Sequence, residues 1–162
     1  MKKYEFTGET KQVGFFGNIT LKRIRATMEF GIIKIGDLGG WIEKEENLSH
    51  KGNAWVYDNA KVYGNAKVCG NAKVCGDAKV FSISHVLVIG PIGSRNDFTT
   101  FFRDKDSEIT VKCGCFLGKI DKFLEKVCET HGDSKYAIVY RTAAEIAKQQ
   151  IDLSEENNYE IK

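Results

Sequence analysis

The sequence predicts a mainly β protein whose central part is a stack of short parallel strands. The first observation is a six-residue repeat that runs from His50 to His85. The second is a set of β-type segments before the repeat, and the third is a strand, a hairpin and two helical segments after it. Within the repeat, valine and alanine each recur at every sixth position, namely at Val56, Val62, Val68, Val74 and Val80 and at Ala54, Ala60, Ala66, Ala72 and Ala78. A fixed period over this many copies is a signature of repeat architectures.

The chemistry of one repeat favours a short strand followed by a corner. Lys61, Val62 and Tyr63 would alternate between the outside and the inside of a sheet. Gly64 and Asn65 tolerate the positive φ values that a corner needs. Three such sides close one coil of a parallel β-helix, in which valines stack on valines about 4.8 Å apart. Six hexads therefore predict about two coils, which is short for a solenoid that stands alone.

The pattern aliphatic-x-Gly-Asn-Ala-x resembles the hexapeptide repeat of left-handed parallel β-helices. This resemblance covers only the repeat region, but its motif is specific. It implies a triangular prism with a left-handed sense, often assembled as a trimer. We therefore expect a homo-oligomer, with a trimer favoured.

The predicted fold class is mainly β: a short left-handed parallel β-helix of about two coils with an N-terminal β cap and a C-terminal α+β unit. The cap covers residues 1–47, the repeats cover 48–89, and the α+β unit of a hairpin plus two helices covers 90–162. A charged surface connection separates the cap from the repeats.

In the cap, strands are expected at Tyr4–Thr7, Ile19–Ala26 and Ile32–Ile35. The glycine-rich stretch Gly36–Ile42 is expected to be a bend. One interpretation of this bend is a ligand loop. The favoured interpretation is a capping turn whose Trp41 covers the open end of the prism, because solenoids need capped ends.

In the C-terminal unit, a buried strand is expected at Val86–Ile89, followed by a hairpin of Phe98–Arg103 and Glu108–Cys113. A first helix opens near Gly118 and stops at His131-Gly132. Its apolar stripe is expected to include Ile120, Phe123, Leu124, Val127 and Cys128.

A second helix, capped by Asp133 or Ser134, runs to about Gln150. Its inward face is expected to comprise Tyr136, Val139, Tyr140, Ala143, Ala147 and Ile151. The last residues, rich in Glu and Asn, are expected to form a polar tail.

Composition restricts the function classes. A formal net charge of +2 gives no strong case for a nucleic-acid or membrane partner, and we predict neither. No apolar run approaches 18 residues, and Met1-Lys2-Lys3 leads into Tyr4-Glu5-Phe6, so we expect neither a transmembrane helix nor a signal peptide. Five cysteines without a disulfide framework suit a reducing cytoplasm.

The loop from Gly90 to Asp97, with the sequence GPIGSRND, is the most suggestive for binding. Its glycines let backbone N–H groups turn toward a ligand, so the loop can cradle an anion or a phosphate. It lacks the lysine and spacing of a Walker loop. The favoured alternative is a strand-to-hairpin turn in which Arg95 pairs with Asp97. The predicted ligand-binding residues are Ser94, Arg95, Asn96, Asp97, Thr99, Arg103 and Lys112.

The side chains beside the repeat valines are unusually apolar for a solvated face. The predicted oligomer interface comprises Trp55, Tyr57, Tyr63 and Phe81, because contiguous apolar patches usually mark contacts. With an eighteen-residue coil, Tyr63 would stack over Phe81. The alternative is that the chain's own C-terminal part covers these side chains, and the sequence leaves both interpretations open.

Metal binding and catalysis are not predicted. Cys113 and Cys115 form a C-x-C pair, but a metal site needs about four ligands and only Cys128 and His131 are nearby candidates. Buried structural thiols are therefore favoured. We assign no catalytic residue, no metal and no cofactor.

The order of segments along the chain resembles an uncharacterised group of hexapeptide-repeat proteins of phages and prophage-bearing bacteria. The segments are KKYEFTGE, GDLGGWIEKEENLSHKGN, the hexads, VIGPIGSRND, CGCF and EKVCETHGDSKYA. This resemblance brings no activity and no functional residues. It implies the host cytoplasm as the location.

From the GPIGSRND loop and its neighbouring hairpin, taken together with the phage-type resemblance, we predict a non-catalytic oligomeric binding protein, a host-defence antagonist that sequesters an anionic nucleotide-like small molecule. One alternative is a structural or protein-binding module that inhibits a host defence protein directly. Another, less favoured, is a hexapeptide-repeat acyltransferase using His50 or His85. The sequence leaves catalysis open, but no long loop interrupts the repeats to build an acceptor site.

Overall fold

The structure is a computed structural model that describes residues 1–154. The polar tail predicted for the last residues lies outside this range. The described chain forms β1 (Tyr4–Val13), β2 (Ile19–Ala26), β3 (Leu38–Ile42), β4 (Trp55–Val56), β5 (Lys61–Val62), β6 (Lys73–Val74), β7 (Lys79–Val80), β8 (Val86–Ile92), β9 (Asp97–Arg103), β10 (Ile109–Cys113), β11 (Phe116–Lys119), α1 (Ile120–His131) and α2 (Lys135–Gln150).

The predicted two-coil left-handed β-helix is wrong. The strands form a mixed five-stranded sheet in the order β1-β2-β3-β5-β7, an antiparallel four-stranded sheet in the order β11-β10-β9-β8, and the separate parallel pair β4-β6. The parallel strands of the repeat region have two residues each and are scattered over two sheets. Among the described residues no sheet closes or winds into a solenoid.

The hexad period sets the register of the repeat strands although it does not produce the predicted fold. Val62 lies opposite Val80, and Val56 lies opposite Val74, so parallel partners are eighteen positions apart. These four valines are fully buried, as the inward-pointing position predicted. Each strand is short because a corner follows at once. The N-terminal strands therefore complete the sheet, through antiparallel pairs that the repeat does not encode.

β3 replaces the glycine-rich bend predicted at Gly36–Ile42. It runs parallel to β5, with Trp41 opposite Lys61. A Cβ atom at Gly39 would lie 2.6 Å from Ile24 Cγ1 and 2.8 Å from the Val56 carbonyl oxygen. Glycine is therefore needed here because the backbone of β3 approaches the repeats closely.

Two other expectations for the N-terminal region need correction. Trp41 is buried in the side of the sheet, in one cluster with Tyr63 and Phe81, and it is not in a capping turn. The strand expected at Ile32–Ile35 is absent from the described residues, where only an isolated bridge joins Phe30 to Ile33. Its β-branched residues favour an extended chain locally, but Ile32 and Ile35 stay exposed without a neighbouring strand.

The C-terminal hairpin and both helices are confirmed. β9 pairs antiparallel with β10, and α1 ends at His131 before Gly132. The short strand β11 was missed, because the first helix starts only at Ile120. Cys128 lies outside the apolar stripe of α1 and is exposed. The buried face of α2 is rotated from the predicted one: Val139 is exposed, and Ala137, Tyr140, Ala143, Ala144 and Ala147 are buried.

Asp104 connects the hairpin to its surroundings. Its buried carboxylate accepts hydrogen bonds from Thr110 Oγ1 at 2.6 Å and from Lys119 Nζ at 2.7 Å. It also accepts from the backbone N–H groups of Asp106 and Glu108, at 2.9 and 3.1 Å. Burial alone would raise the pKa of Asp104, but these hydrogen bonds outweigh burial and hold the pKa below its ordinary value.

We expect Asp104→Ala to lower the free energy of unfolding by about 3 kcal/mol, because four donors lose a buried acceptor together. Asp106→Ala is the matched control. Its exposed carboxylate contacts the same Lys119 Nζ at 3.0 Å, so we expect a loss of at most about 0.5 kcal/mol. Urea unfolding of both variants measures the difference. Equal losses would contradict the role given to Asp104.

His85 is a fully buried titratable group at the end of the 3₁₀ turn that precedes β8. Its Nδ1 accepts a hydrogen bond from the Phe81 backbone N–H at 3.2 Å, and its Nε2 lies 3.3 Å from Arg103 Nη1. Burial and the positive charge of Arg103 lower the pKa of His85 to about 4. The ring is therefore neutral in the folded protein at pH values that protonate it in the unfolded chain.

This lowered pKa makes stability depend on pH between about 6.5 and 4. In that window the unfolded chain gains a proton that the folded chain does not. The free energy of unfolding therefore decreases as the pH is lowered from about 6.5 to 4, by up to about 3 kcal/mol. Above pH 6.5 the His85 contribution is complete. Urea unfolding at several pH values should show a smaller decrease for His85→Asn than for the native chain. Parallel pH curves for the two proteins would rule out this assignment.

Candidate functional site

A cleft of about 240 Å³ opens where the β8–β9 turn, the β10–β11 turn and the two helices meet. We call it the main cleft. Three rings supply much of its apolar lining: the centroid of Phe123 lies 5.7 Å from that of Phe116 and 5.8 Å from that of Tyr140. The amphipathic α1 contributes Phe123, and α2 contributes Tyr140. The cleft is somewhat smaller than typical ligand pockets, whose volumes begin at about 300 Å³.

Charged side chains surround this apolar lining. Arg95 and Asp97 reach the main cleft from the β8–β9 turn, and Lys126 and His131 reach it from α1. The two permanent cations outnumber the one carboxylate. Asp97 already accepts a hydrogen bond from the Phe98 backbone N–H at 2.7 Å. The charge balance of the main cleft therefore favours an anion.

The GPIGSRND segment is a tight hairpin turn that also lines the main cleft. Ile92 pairs with Asp97, and the Asn96 N–H donates to the Gly93 carbonyl at 3.3 Å. Gly93 has a φ of 77°, and a Cβ atom there would lie 1.8 Å from Tyr140 Oη. Among the described residues, no ion pair joins Arg95 to Asp97. The turn alternative is thus correct in shape, and Arg95 remains directed to the main cleft.

The predicted ligand-binding residues come together only in part. Ser94, Arg95 and Asp97 line the main cleft, whereas Asn96 lies exposed at the turn. The other three occupy other places: Thr99 is buried, Arg103 lies at the far end of β9, and Lys112 lines a different cavity.

Arg103 is buried in a structural network. Its Nη1 lies 3.3 Å from His85 Nε2, its Nη2 donates to Ser107 Oγ at 3.0 Å, and its guanidinium lies 5.1 Å from the centre of the Phe81 ring. These contacts hold the end of β9 against the repeat region, so they explain the side chain without a ligand.

Sequence reasoning missed Lys126, His131, Phe116 and Tyr140. Lys126 and His131 flank the apolar stripe of α1, and residues beside a buried stripe lie at the rim of whatever the helix packs on. That position is the signal that could have found them. This position shows only that the two side chains lie at the edge of the surface on which α1 packs. It does not show that a cleft opens at that edge.

The thiols do not behave as buried structural residues throughout. Cys113 is half-buried and accepts a hydrogen bond from Thr99 Oγ1 at 3.3 Å, whereas Cys115 and Cys128 are exposed. The expectation of buried thiols is therefore wrong for Cys115.

Burial and the nearby Cys113 thiol raise the pKa of Tyr140. Within residues 1–154, no group of three His, Cys, Asp or Glu side chains is placed to hold a metal ion.

The side chains predicted to form an oligomer interface are mostly buried within one chain. Trp55 and Tyr63 are fully buried, Phe81 is nearly so, and Tyr57 is half-buried. Tyr63 stacks on Phe81 with ring centroids 5.4 Å apart, which is the stacking that the hexad period predicted. N-terminal residues provide much of the cover, for example Tyr4 over Trp55. A subunit contact through these residues stays a prediction.

The two histidines considered for acyl transfer lie away from the main cleft. The His50 ring stacks on Tyr4 with centroids 4.2 Å apart, and its Nδ1 accepts a hydrogen bond from the Lys3 backbone N–H at 3.3 Å. His85 is fully buried.

Neither helix of the described chain has the length and apolar character to cross a membrane.

Gly93→Ala should destabilise the protein and displace Tyr140, because the new methyl group would overlap the Tyr140 hydroxyl. Gly70→Ala is the matched control: its φ is also positive, at 66°, but nothing lies within 4 Å of the added Cβ. It therefore measures the backbone cost alone. We expect Gly93→Ala to lose about 1–3 kcal/mol more than the control in urea unfolding. A loss equal to that of the control would show that Tyr140 does not restrict Gly93.

Comparison with known proteins adds a partial similarity. No family model matches the sequence. A stretch of 63 residues is 35% identical to a protein named uncharacterized acetyltransferase YdcK of Escherichia coli (strain K12). The match covers 36% of this chain and 19% of that protein, so the shared part is about a fifth of the relative's length. This similarity fits a hexapeptide-repeat protein, and it does not extend to a phage type.

Proposed function

We propose that the protein is a non-catalytic binding protein that holds an anionic, ring-bearing small molecule of the nucleotide type in the main cleft. The observation that carries this proposal is the meeting of three aromatic rings with Arg95, Lys126 and His131 in one cavity. A nucleotide has a flat ring and a phosphate, and these two parts match the two kinds of lining.

The rings and the cations have separate tasks in this proposal. Phe116 and Tyr140 offer ring faces or edges to a base, and such contacts tolerate any flat heterocycle. Arg95 can donate two parallel hydrogen bonds to a phosphate, and Lys126 adds a point charge. The Ser94 hydroxyl at the same rim is a further donor.

The acetyltransferase name of the relative brings acetyl transfer to this chain as a second candidate function. The buried His85, with its pKa lowered to about 4, is poorly placed to meet an acceptor substrate. His50 is stacked on Tyr4. We therefore favour binding over catalysis. Acetyl-CoA turnover with a primary amine acceptor would reverse this preference.

We further propose a phage-type role in which the protein forms a homo-oligomer, with a trimer favoured, and antagonises host defence by sequestering a signalling nucleotide in the host cytoplasm. The whole-chain resemblance described above supports the role. Exposed apolar side chains support assembly: Phe16 is 96% exposed, Ile138 is 58% exposed and Ile146 is 48% exposed. The same exposed side chains also suit the alternative of direct inhibition of a host defence protein.

Isothermal titration calorimetry with adenosine monophosphate tests the binding proposal. We expect Arg95→Ala and Lys126→Ala each to weaken binding at least about tenfold, because each removes a charge-assisted contact to the phosphate. Lys122→Ala is the matched control. It lies on the same helix with its Nζ paired to Glu125 at 3.1 Å, away from the main cleft, and its affinity should equal that of the native chain. Equal affinities for all four proteins would contradict the proposed site.

A further inference from the structure

We propose that the main cleft is one half of a two-part groove, and that the groove takes a ligand with two nucleotide units joined through phosphate. This inference rests on the proposed function, because it extends the same site. The second half is a cavity of about 190 Å³, here called the second cavity, with Tyr57, Lys73 and Lys112 in its lining.

The two cavities are neighbours. Gly114, in the β10–β11 turn, lines both of them. A smaller cavity of about 120 Å³ shares Asp97 with the main cleft and shares Tyr57 and Lys73 with the second cavity. The three openings therefore adjoin one another at shared residues.

The ridge between the two main openings is backbone. Gly114 has a φ of 56°, and its nearest neighbour to an added Cβ would be Arg95 Nη1 at 3.8 Å. Because no side chain stands at this position, a linking phosphate could cross the ridge close to the backbone and to the Arg95 guanidinium.

The second cavity has the same charge balance as the main cleft. The lining contains two lysines, Lys73 and Lys112, and one carboxylate, Asp58. The Asp58 Oδ2 accepts a hydrogen bond from the Gly76 N–H at 3.4 Å. In the described part of the chain, neither lysine ammonium forms an ion pair. Lys119 shows the contrast, since its Nζ lies 2.7 Å from the Asp104 carboxylate. Two unneutralised cations beside an apolar wall suit an anionic group.

The two lysines share the lining of the second cavity with the Cys75 thiol. Burial raises the pKa of Cys75 to about 11, and the positive charges of Lys112 and Lys73 act against that increase. Both ammonium groups are therefore close enough to the lining thiol to be felt electrostatically. Both lysines therefore lie in the wall of the second cavity beside this thiol.

Tyr57 supplies the ring that the second half needs. It is half-buried, and burial raises the pKa of its hydroxyl to about 12, so the ring is neutral and partly desolvated. Each half of the groove then contains an aromatic ring and two permanent cations. That repetition is the chemistry expected for two bases joined by phosphate.

Calorimetry with two probes tests the groove: adenosine monophosphate and the linear diadenylate pApA. We expect the native chain to bind pApA at least about tenfold tighter than adenosine monophosphate, since a single pApA molecule spans both halves. The double variant Lys73→Ala/Lys112→Ala should lose that gain and keep its affinity for adenosine monophosphate. Lys51→Ala/Lys67→Ala removes two exposed lysines that line neither cavity, and it should bind like the native chain.

The outcomes separate this inference from the proposed function. If adenosine monophosphate binds in the main cleft but pApA binds no tighter, the groove is overturned and the proposed function stands. If Lys73→Ala/Lys112→Ala weakens both probes equally, or if the Lys51→Ala/Lys67→Ala control loses the pApA gain, the effect is general charge and the groove is again overturned. If neither probe binds, the proposed function and the groove fail together.

Discussion

The structure depends on burying the apolar side chains of the hexad repeat. Two-residue strands with a corner after each one provide few hydrogen bonds, so they need cover from outside the repeat. Tyr4 and Ile24 provide it from the N-terminal strands, and Phe102 provides it from the C-terminal hairpin. All three side chains belong to one core with the repeat valines. The regions before and after the repeat are therefore parts of the same packed interior, and burial of this apolar surface is a main source of stability.

The parts of the fold that depend on residues close together in the sequence could be predicted, and those that depend on distant residues could not. The hexad period and the amphipathic helices are local patterns, and they gave the register of Val62 opposite Val80 and the end of α1 at Gly132. The position of β3 is a long-range pairing. Its glycines looked like turn signals, and only the approach of Ile24 shows that they are there for close packing. The repeat likewise gave the right spacing and the wrong fold, because antiparallel neighbours are not encoded in a period.

The candidate site shows the same division. The turn from Gly93 to Asp97 could be found because its glycines and polar side chains are consecutive in the sequence. Tyr140 could not, and the position of Lys126 beside the apolar stripe of α1 indicates only a rim, because both residues reach the main cleft through the packing of two helices on a sheet. Arg103 was predicted to bind the ligand because its side chain is polar and charged. Its actual partners, the His85 ring and the Ser107 hydroxyl, are within the protein.

The pleat of β10 has a consequence for how the two cavities are separated. Lys112 lines the second cavity and its neighbour Cys113 lines the main cleft, because successive side chains on a strand point to opposite faces. One strand thus acts as a partition with a different lining on each side. The pairing of Lys112 with Thr100 and of Cys113 with Thr99 holds that partition in place. A slip of one residue would exchange the thiol and the ammonium between the cavities, so the chemical character of each wall is determined by a β-sheet register.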